Sequence, residues 1–244
     1  MRPPAIEIEN LTLAYEGRPA VHHLSGRFAP GSLTAVGGPN GAGKSPLLRA
    51  RAGLHPPAGG RISGAAGQVA LLPQASALDR SFPIAALDVV LFGHWPKAGA
   101  FRRLDRRARA EAEAALAAVG LAGFEVRPVA SLSAGQFQRL LFARLLVQDA
   151  PILLLDEPFT ALDERTAADM LGLLHRWHGE GRTVVAVLHD LELVRRDFPE
   201  TLLLAREAIA WGPTAQVLTA ANRLRARSMA EHWAAEATPC HRAA

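Results

Sequence analysis

The chain has 244 residues, 49% hydrophobic, with 27 Lys plus Arg, 23 Asp plus Glu and one cysteine. It is long enough for one large or two small domains with a substantial core, and a single thiol, Cys240, excludes an internal disulfide. No apolar run reaches the roughly 20 residues a membrane helix needs, the Met1-Arg2-Pro3-Pro4 start lacks a secretion signal, and a net charge of +4 spread along the chain argues for no nucleic-acid partner. A cytoplasmic protein is expected.

Ile6 to Leu13 alternates apolar and polar residues, which predicts a strand. Tyr15, the only tyrosine, follows; by itself it reads as a core or turn residue, with adenine stacking as the alternative. Ser32 to Val36 reads as a buried strand, and Leu47 to Ala50 as a helix. Between them lies Gly38-Pro39-Asn40-Gly41-Ala42-Gly43-Lys44-Ser45, which fits G-x-x-x-x-G-K-[ST]. Glycines let backbone amides approach phosphate oxygens, and those amides with the following helix N-terminus make an anion-binding concavity. Lys44 would reach the β- and γ-phosphates and the Ser45 hydroxyl would bind Mg²⁺. The chain has only two lysines, Lys44 and Lys97, so an ordinary Gly-rich turn is a poor explanation. Pro46 follows Ser45. It is tolerated in a first helical turn, yet it removes an amide that could bind phosphate and biases Ser45 away from the right-handed helical region.

His55 to Gly60 is a break, and Arg61–Gly64 and Gln68–Leu72 read as short strands. Gln74, just beyond the second, can reach a bound Mg²⁺ or water, although a surface glutamine is the plainer reading. Residues from about 79 to 147 read as mainly helical. Arg102, Arg103, Arg106, Arg107 and Arg109 in that stretch read as a solvated helix face. Ser133 is a candidate N-cap with Gln136 as its capping-box partner, opening a helix over Phe137 to Leu146. Its terminus is also a candidate phosphate site.

Ile152 to Leu155 is an apolar strand ending in Asp156-Glu157-Pro158. Two carboxylates leaving a buried strand suit a Mg²⁺ ligand, Asp156, and a group that polarises an attacking water, Glu157. A helix over Asp163 to His178 leads to a strand over Thr183 to Leu188, which ends at His189, placed to contact a γ-phosphate. A hairpin over Leu202–Leu204 and Ile209–Trp211 precedes a polar helical tail from about 215 to 244.

In this order the motifs resemble the ATP-binding subunit of an ABC transporter over nearly the whole chain. The carriers are Tyr15 (A-loop), Gly38 to Ser45 (Walker A), Gln74 (Q-loop), Leu132 to Gln136 (signature), Leu153 to Glu157 (Walker B), Asp163 (D-loop) and His189 (H-loop). The resemblance implies an α/β P-loop NTPase of ABC type. Its central sheet is mainly parallel, with an N-terminal antiparallel β subdomain and an inserted α-helical subdomain, all one nucleotide-binding domain over 1–244.

It also implies ATP and Mg²⁺ as ligands, with Glu157, His189 and Gln74 catalytic and Ser45, Gln74 and Asp156 at the metal. Tyr15, Gly38, Pro39, Asn40, Gly41, Ala42, Gly43, Lys44, Ser45 and Pro46 would bind nucleotide. Ser133, Gly135, Gln136 and Asp163 would meet the nucleotide across a head-to-tail homodimer. A transmembrane permease, and indirectly a periplasmic or extracellular metal-binding protein, would be partners at the cytoplasmic face of the membrane.

Two residues depart from the pattern. Ala134 replaces the first signature glycine, and Pro46 stands where a threonine is usual. The first is expected to be tolerated and the second to weaken nucleotide affinity. Asp79 to Ile84, Asp88 to Trp95, Phe142 to Ala150 and Asp156 to Phe159 are similar to the zinc and manganese importer branch, zinc first. A manganese or siderophore/haem importer is the alternative. A soluble ABC ATPase acting on nucleic acid or ribosomes, and a regulatory cassette impaired at Pro46, are alternatives from other classes. His232, Cys240 and His241 are zinc-ligand types whose spacing fits no tight site.

Overall fold

The computed structural model describes residues 5–15, 18–64, 69–99 and 104–235, with the side chains of 15, 18 and 232–235 outside the description. Strands β1 (Ile6–Tyr15), β2 (Arg18–Phe28), β3 (Leu33–Gly37) and β4 (Gly59–Ser63) surround helix α1 (Lys44–Arg51) in sequence. After β5 (Val69–Leu72) come α2 (Ala86–Leu91), α3 (Trp95–Ala98), α4 (Arg106–Ala118) and α5 (Ala134–Gln148). Then β6 (Ile152–Asp156), α6 (Glu164–Gly179), β7 (Thr183–Val187), α7 (Leu191–Asp197), β8 (Glu200–Ala205), β9 (Glu207–Pro213), α8 (Thr214–Val217) and α9 (Ala220–Ala235) complete the order.

The strands sort into two sheets. One is antiparallel, in the order β2-β1-β4. The other runs β5-β6-β7-β3-β8-β9; all its neighbours are parallel except the β8-β9 hairpin. Every residue of β3, β6 and β7 is buried, as a parallel sheet covered on both faces requires. Successive side chains serve opposite faces. Leu153, Leu155, Val184 and Ala186 join the helix-side core. Ile152, Leu154, Val185 and Val187 join the core under α1 and the antiparallel sheet. The fold therefore matches the α/β architecture expected, with its antiparallel sheet, mainly parallel sheet and helices α2–α5 inserted between β5 and β6.

Several local expectations need correction. β2 was not visible in the sequence: its pairing with β1 shifts register at three points, and bulges erase the period-two signal. The helix expected from Phe137 begins at Ala134, because the Ser133 capping box satisfies its first turn. The tail is broken at Leu218 between α8 and α9. Ser45 is helical despite the following proline. Leu47 and Leu48 are each 1% exposed, and their burial with the Ser45–Asp156 hydrogen bond outweighs the local bias.

The basic run behaves as a solvated face where it is described. Arg107 pairs with Glu111 and Arg109 with Glu113 along α4, all on exposed side chains; Arg102 and Arg103 lie outside the described residues. Among the described residues no helix is long and apolar enough to cross a membrane.

Candidate nucleotide site

The phosphate loop joins the C-terminal end of β3 to α1, at the crevice end of a parallel sheet where ligands bind in open α/β folds. Two of its glycines are dictated by contact. Gly38 has φ +145° and a Cβ there would lie 2.0 Å from the Leu204 carbonyl oxygen. Gly43 has φ +92° and its Cβ would lie 2.2 Å from the Ala20 carbonyl oxygen. β2 and the end of β8 thus press against the loop, and Arg206 N–H donates to the Ala42 carbonyl at 2.9 Å.

The Lys44 ammonium donates to the carbonyls of Gly38 and Pro39 at 2.8 and 2.9 Å. Burial pushes its pKa down, against the attraction of Glu157 and Asp156. Ser45 Oγ donates to Asp156 Oδ1 at 3.0 Å. Burial pushes the Asp156 carboxyl up; the Ser45 hydrogen bond opposes this, and Glu157 adds to it. Asp156 is 2% exposed, so its charge is poorly compensated by solvent.

Glu157 lies one residue past β6. Its carboxylate accepts from Gln74 Nε2 at 3.0 Å, from His189 Nε2 at 2.7 Å and from Thr160 Oγ1 at 3.4 Å. Three chain segments, following β5, β6 and β7, therefore converge on one side chain. Residues 40–46, Gln74, Glu157 and His189 line one open depression of about 680 Å³.

Other expected residues sit elsewhere. Ser133 and Gln136 form the reciprocal capping box of α5. Gly135 packs its backbone so closely that a Cβ would be 2.8 Å from the Ala161 carbonyl oxygen. Asp163 caps α6, accepting from Thr166 N and Oγ1 at 2.9 Å each; those hydrogen bonds hold its carboxyl below the usual range. None of these four lines the depression around Lys44. Ala134 is exposed, so its methyl meets no obstacle. The Tyr15 side chain, the His232 side chain, Cys240 and His241 lie outside the described residues. Thr160 and the β2 carbonyl at Ala20 were missed in the sequence. Neither residue type carries a signal until the turn and sheet bring it to the loop.

Ser45 offers a hydroxyl and Asp156 a buried, incompletely compensated carboxylate, hard oxygen donors that suit Mg²⁺. Among the described residues no three His, Cys, Asp or Glu side chains could hold a metal by themselves. A cation here would draw its other ligands from phosphate and water, as Mg²⁺ sites commonly do.

A family model described as ABC transporter matches residues 21–160. The chain belongs to the ABC transporter ATP-binding family. The manganese transport system ATP-binding protein MntB of Listeria monocytogenes is 38% identical over 221 residues, 88% of this cassette and 92% of that protein. The zinc transport system ATP-binding protein TroB of Treponema pallidum is 40% identical over 222 residues, 88% of this cassette and 84% of that protein. The cassette superposes with a TM-score of 0.79 on an ABC transporter assigned to the metal-chelate type, in an inward-facing conformation. The two are 31% identical, over 91% of this chain and 88% of that one. A dimeric ATP-binding cassette bound to ADP and Pi gives a TM-score of 0.76 at 25% identity, over 86% of this chain and 98% of that one.

Proposed function

We propose that this cassette is the ATP-hydrolysing subunit of a membrane importer for a divalent transition metal, zinc or manganese. The observation that carries the ATPase reading is the convergence of Gln74, His189 and Thr160 on the Glu157 carboxylate beside the Lys44 loop. Lys44 exchanges its two loop carbonyls for β- and γ-phosphate oxygens. Ser45 and Asp156, with Gln74 from the same depression, would hold Mg²⁺, which would supply charge neutralisation on the phosphates. Glu157 orients and polarises the attacking water, and His189 turns from Glu157 to the γ-phosphate.

The positions of Ser133, Gly135 and Asp163 support a second copy of the cassette. They lie on the terminal turns of α5 and α6, away from the depression of their own chain. Packed head to tail, they meet the partner's nucleotide, so ATP contacts both halves only in the closed dimer and shifts the population toward closure. A permease subunit would receive that motion at the cytoplasmic face of the membrane, with a metal-binding protein on the other side. One domain over 1–244, with a helical subdomain at about 79–147 and a tail at about 215–244, is the organisation we assign.

The cargo rests on resemblance. The segments around Asp79, Asp88 and Phe142 favour zinc, and relatives named for manganese and for zinc match about equally. A strain lacking this gene is therefore expected to fail in metal-chelated medium and to recover with zinc or with manganese supplied alone. Recovery only with haem-iron would overturn the cargo, and the absence of any metal-dependent defect would overturn metal import.

Pro46 is the third residue of α1. An N–H there has no intrahelical partner in any case, so the proline does not break the helix. It does leave the depression one donor short. Pro46→Thr is expected to tighten ATP binding by about ten- to a hundredfold, the worth of one charge-assisted hydrogen bond. Equilibrium titration of the purified protein checks this, and an unchanged Kd and turnover would show that the missing amide does not matter.

A further inference from the structure

Gln138 is 1% exposed and belongs to the second turn of α5, the helix that Ser133 caps. A polar side chain that deep costs free energy unless it is hydrogen-bonded. Its Nε2 donates to the Pro158 carbonyl at 2.8 Å. Among the described residues its Oε1 is buried and has no hydrogen-bond partner. Only the donor half of this amide is used, and it is used on the residue next to Glu157.

That residue lies in a strained turn. Glu157 has φ +53° and Ala161 φ +64°, both non-glycine residues in the left-handed region. Each such residue persists only where its surroundings hold it. Glu157 N–H donates to the Val187 carbonyl at 3.2 Å, and Thr160 N–H to the Glu157 carbonyl at 3.3 Å. The start of α5 holds the turn from the other side, through Gln138 on Pro158 and through the close approach of Gly135 to Ala161 O. Further along, Arg144 Nη2 donates to the Leu71 carbonyl at 2.5 Å and Gln148 Nε2 to the Val69 carbonyl at 3.1 Å. Both acceptors are on β5, the strand leading to Gln74. One helix is thus tied to the backbone on either side of the Gln74–Glu157 hydrogen bond.

We propose that Gln138 is a positioning residue, whose hydrogen bond to the Pro158 carbonyl fixes the Glu157 backbone so that its carboxylate is held between Gln74 and His189. This rests on the reading of Glu157 as the residue that acts on water. Gln138 does not line the depression around Lys44, so it influences turnover without touching nucleotide. Because α5 also carries Ser133 and Gly135, a displacement of that helix against a second cassette reaches Glu157 of its own chain by the same hydrogen bond.

The test compares wild type, Gln138→Met and Gln138→Glu as purified full chains, measuring MgATP turnover, ATP Kd and Tm. Methionine keeps the volume, removes the donor and also removes the unpartnered oxygen. It is expected to lower kcat by about fivefold or more, the scale of one neutral hydrogen bond, with Kd within about twofold and Tm little changed. A buried glutamic acid donates only when protonated. The kcat of Gln138→Glu relative to wild type is therefore expected to rise as pH falls, while that of Gln138→Met stays flat. Wild-type kcat in Gln138→Met overturns the proposal. So does a joint loss of Kd and Tm with kcat, which marks a packing role, and so does a flat pH ratio for Gln138→Glu. Wild type is assayed first: if it turns over no ATP, the parent reading fails, and this inference with it.

Discussion

Glu157→Gln is expected to lower ATP turnover by about 10²- to 10⁴-fold, the usual contribution of a general base, while ATP binding stays within a few-fold. The geometry separates the two effects. The Glu157 side chain is 18% exposed, and its carboxylate accepts hydrogen bonds from Gln74, His189 and Thr160. The contacts assigned to the phosphates belong to other groups, the loop amides and Lys44. Glutamine has the same volume, and its one carbonyl oxygen placed at the Oε2 position can still accept from both Gln74 and Thr160, so the fold is preserved. It has no basic oxygen to take a proton from water. Steady-state phosphate release and equilibrium nucleotide binding, measured on the same preparation, check the split. Retained turnover would remove Glu157 from its assigned role. Equal loss of binding and turnover would mean that its charge serves the loop, through the attraction that holds up the Lys44 ammonium.

Gly43→Ala is expected to weaken ATP binding by at least about a hundredfold, the upper end of what one forced backbone conformation costs. Two penalties coincide at this position. The backbone has φ +92°, which an L side chain rarely adopts, and the new Cβ would stand 2.2 Å from Ala20 O and 2.6 Å from Val21 Cγ2. Ala20 and Val21 are on β2, a strand paired with β1, so the obstacle is a backbone that cannot swing aside. The loop must move, and Lys44 follows directly. Gly41→Ala is the control. Gly41 has φ +75° with nothing within 4 Å of the added Cβ, so it suffers the conformational cost alone and is expected to lose about tenfold. If the two variants bind ATP equally well, contact with β2 does not decide the loop geometry.

Much of the site is legible in the sequence. The Gly38–Ser45 spacing, the Asp156-Glu157 pair at the end of an apolar run, and the Ser133/Gln136 capping box are short-range patterns. Their chemistry depends on neighbours in the chain. The buried parallel strands β3, β6 and β7 were equally plain, because full burial demands unbroken apolar runs. Composition alone spoke against a membrane-spanning helix and against an internal disulfide.

What the sequence could not supply was anything set by contacts between distant segments. β2 is irregular in its own residues and becomes a strand only by pairing with β1, with its bulges absorbed in that ladder. Pro46 argued against a helical Ser45, and burial of Leu47 and Leu48 reversed that local bias. Gln74, Glu157 and His189 are separated by 83 and 32 residues, and they touch only because β5, β6 and β7 lie side by side. Nothing in the sequence distinguishes Gln138 from other polar residues on a helix. Its burial against the Pro158 carbonyl follows from the way α5 packs on the turn after β6. Local chemistry was therefore written in the chain. The tertiary structure decided which of those groups share a site, because hydrogen bonds and clashes act over a few ångströms of space, whatever the distance along the chain.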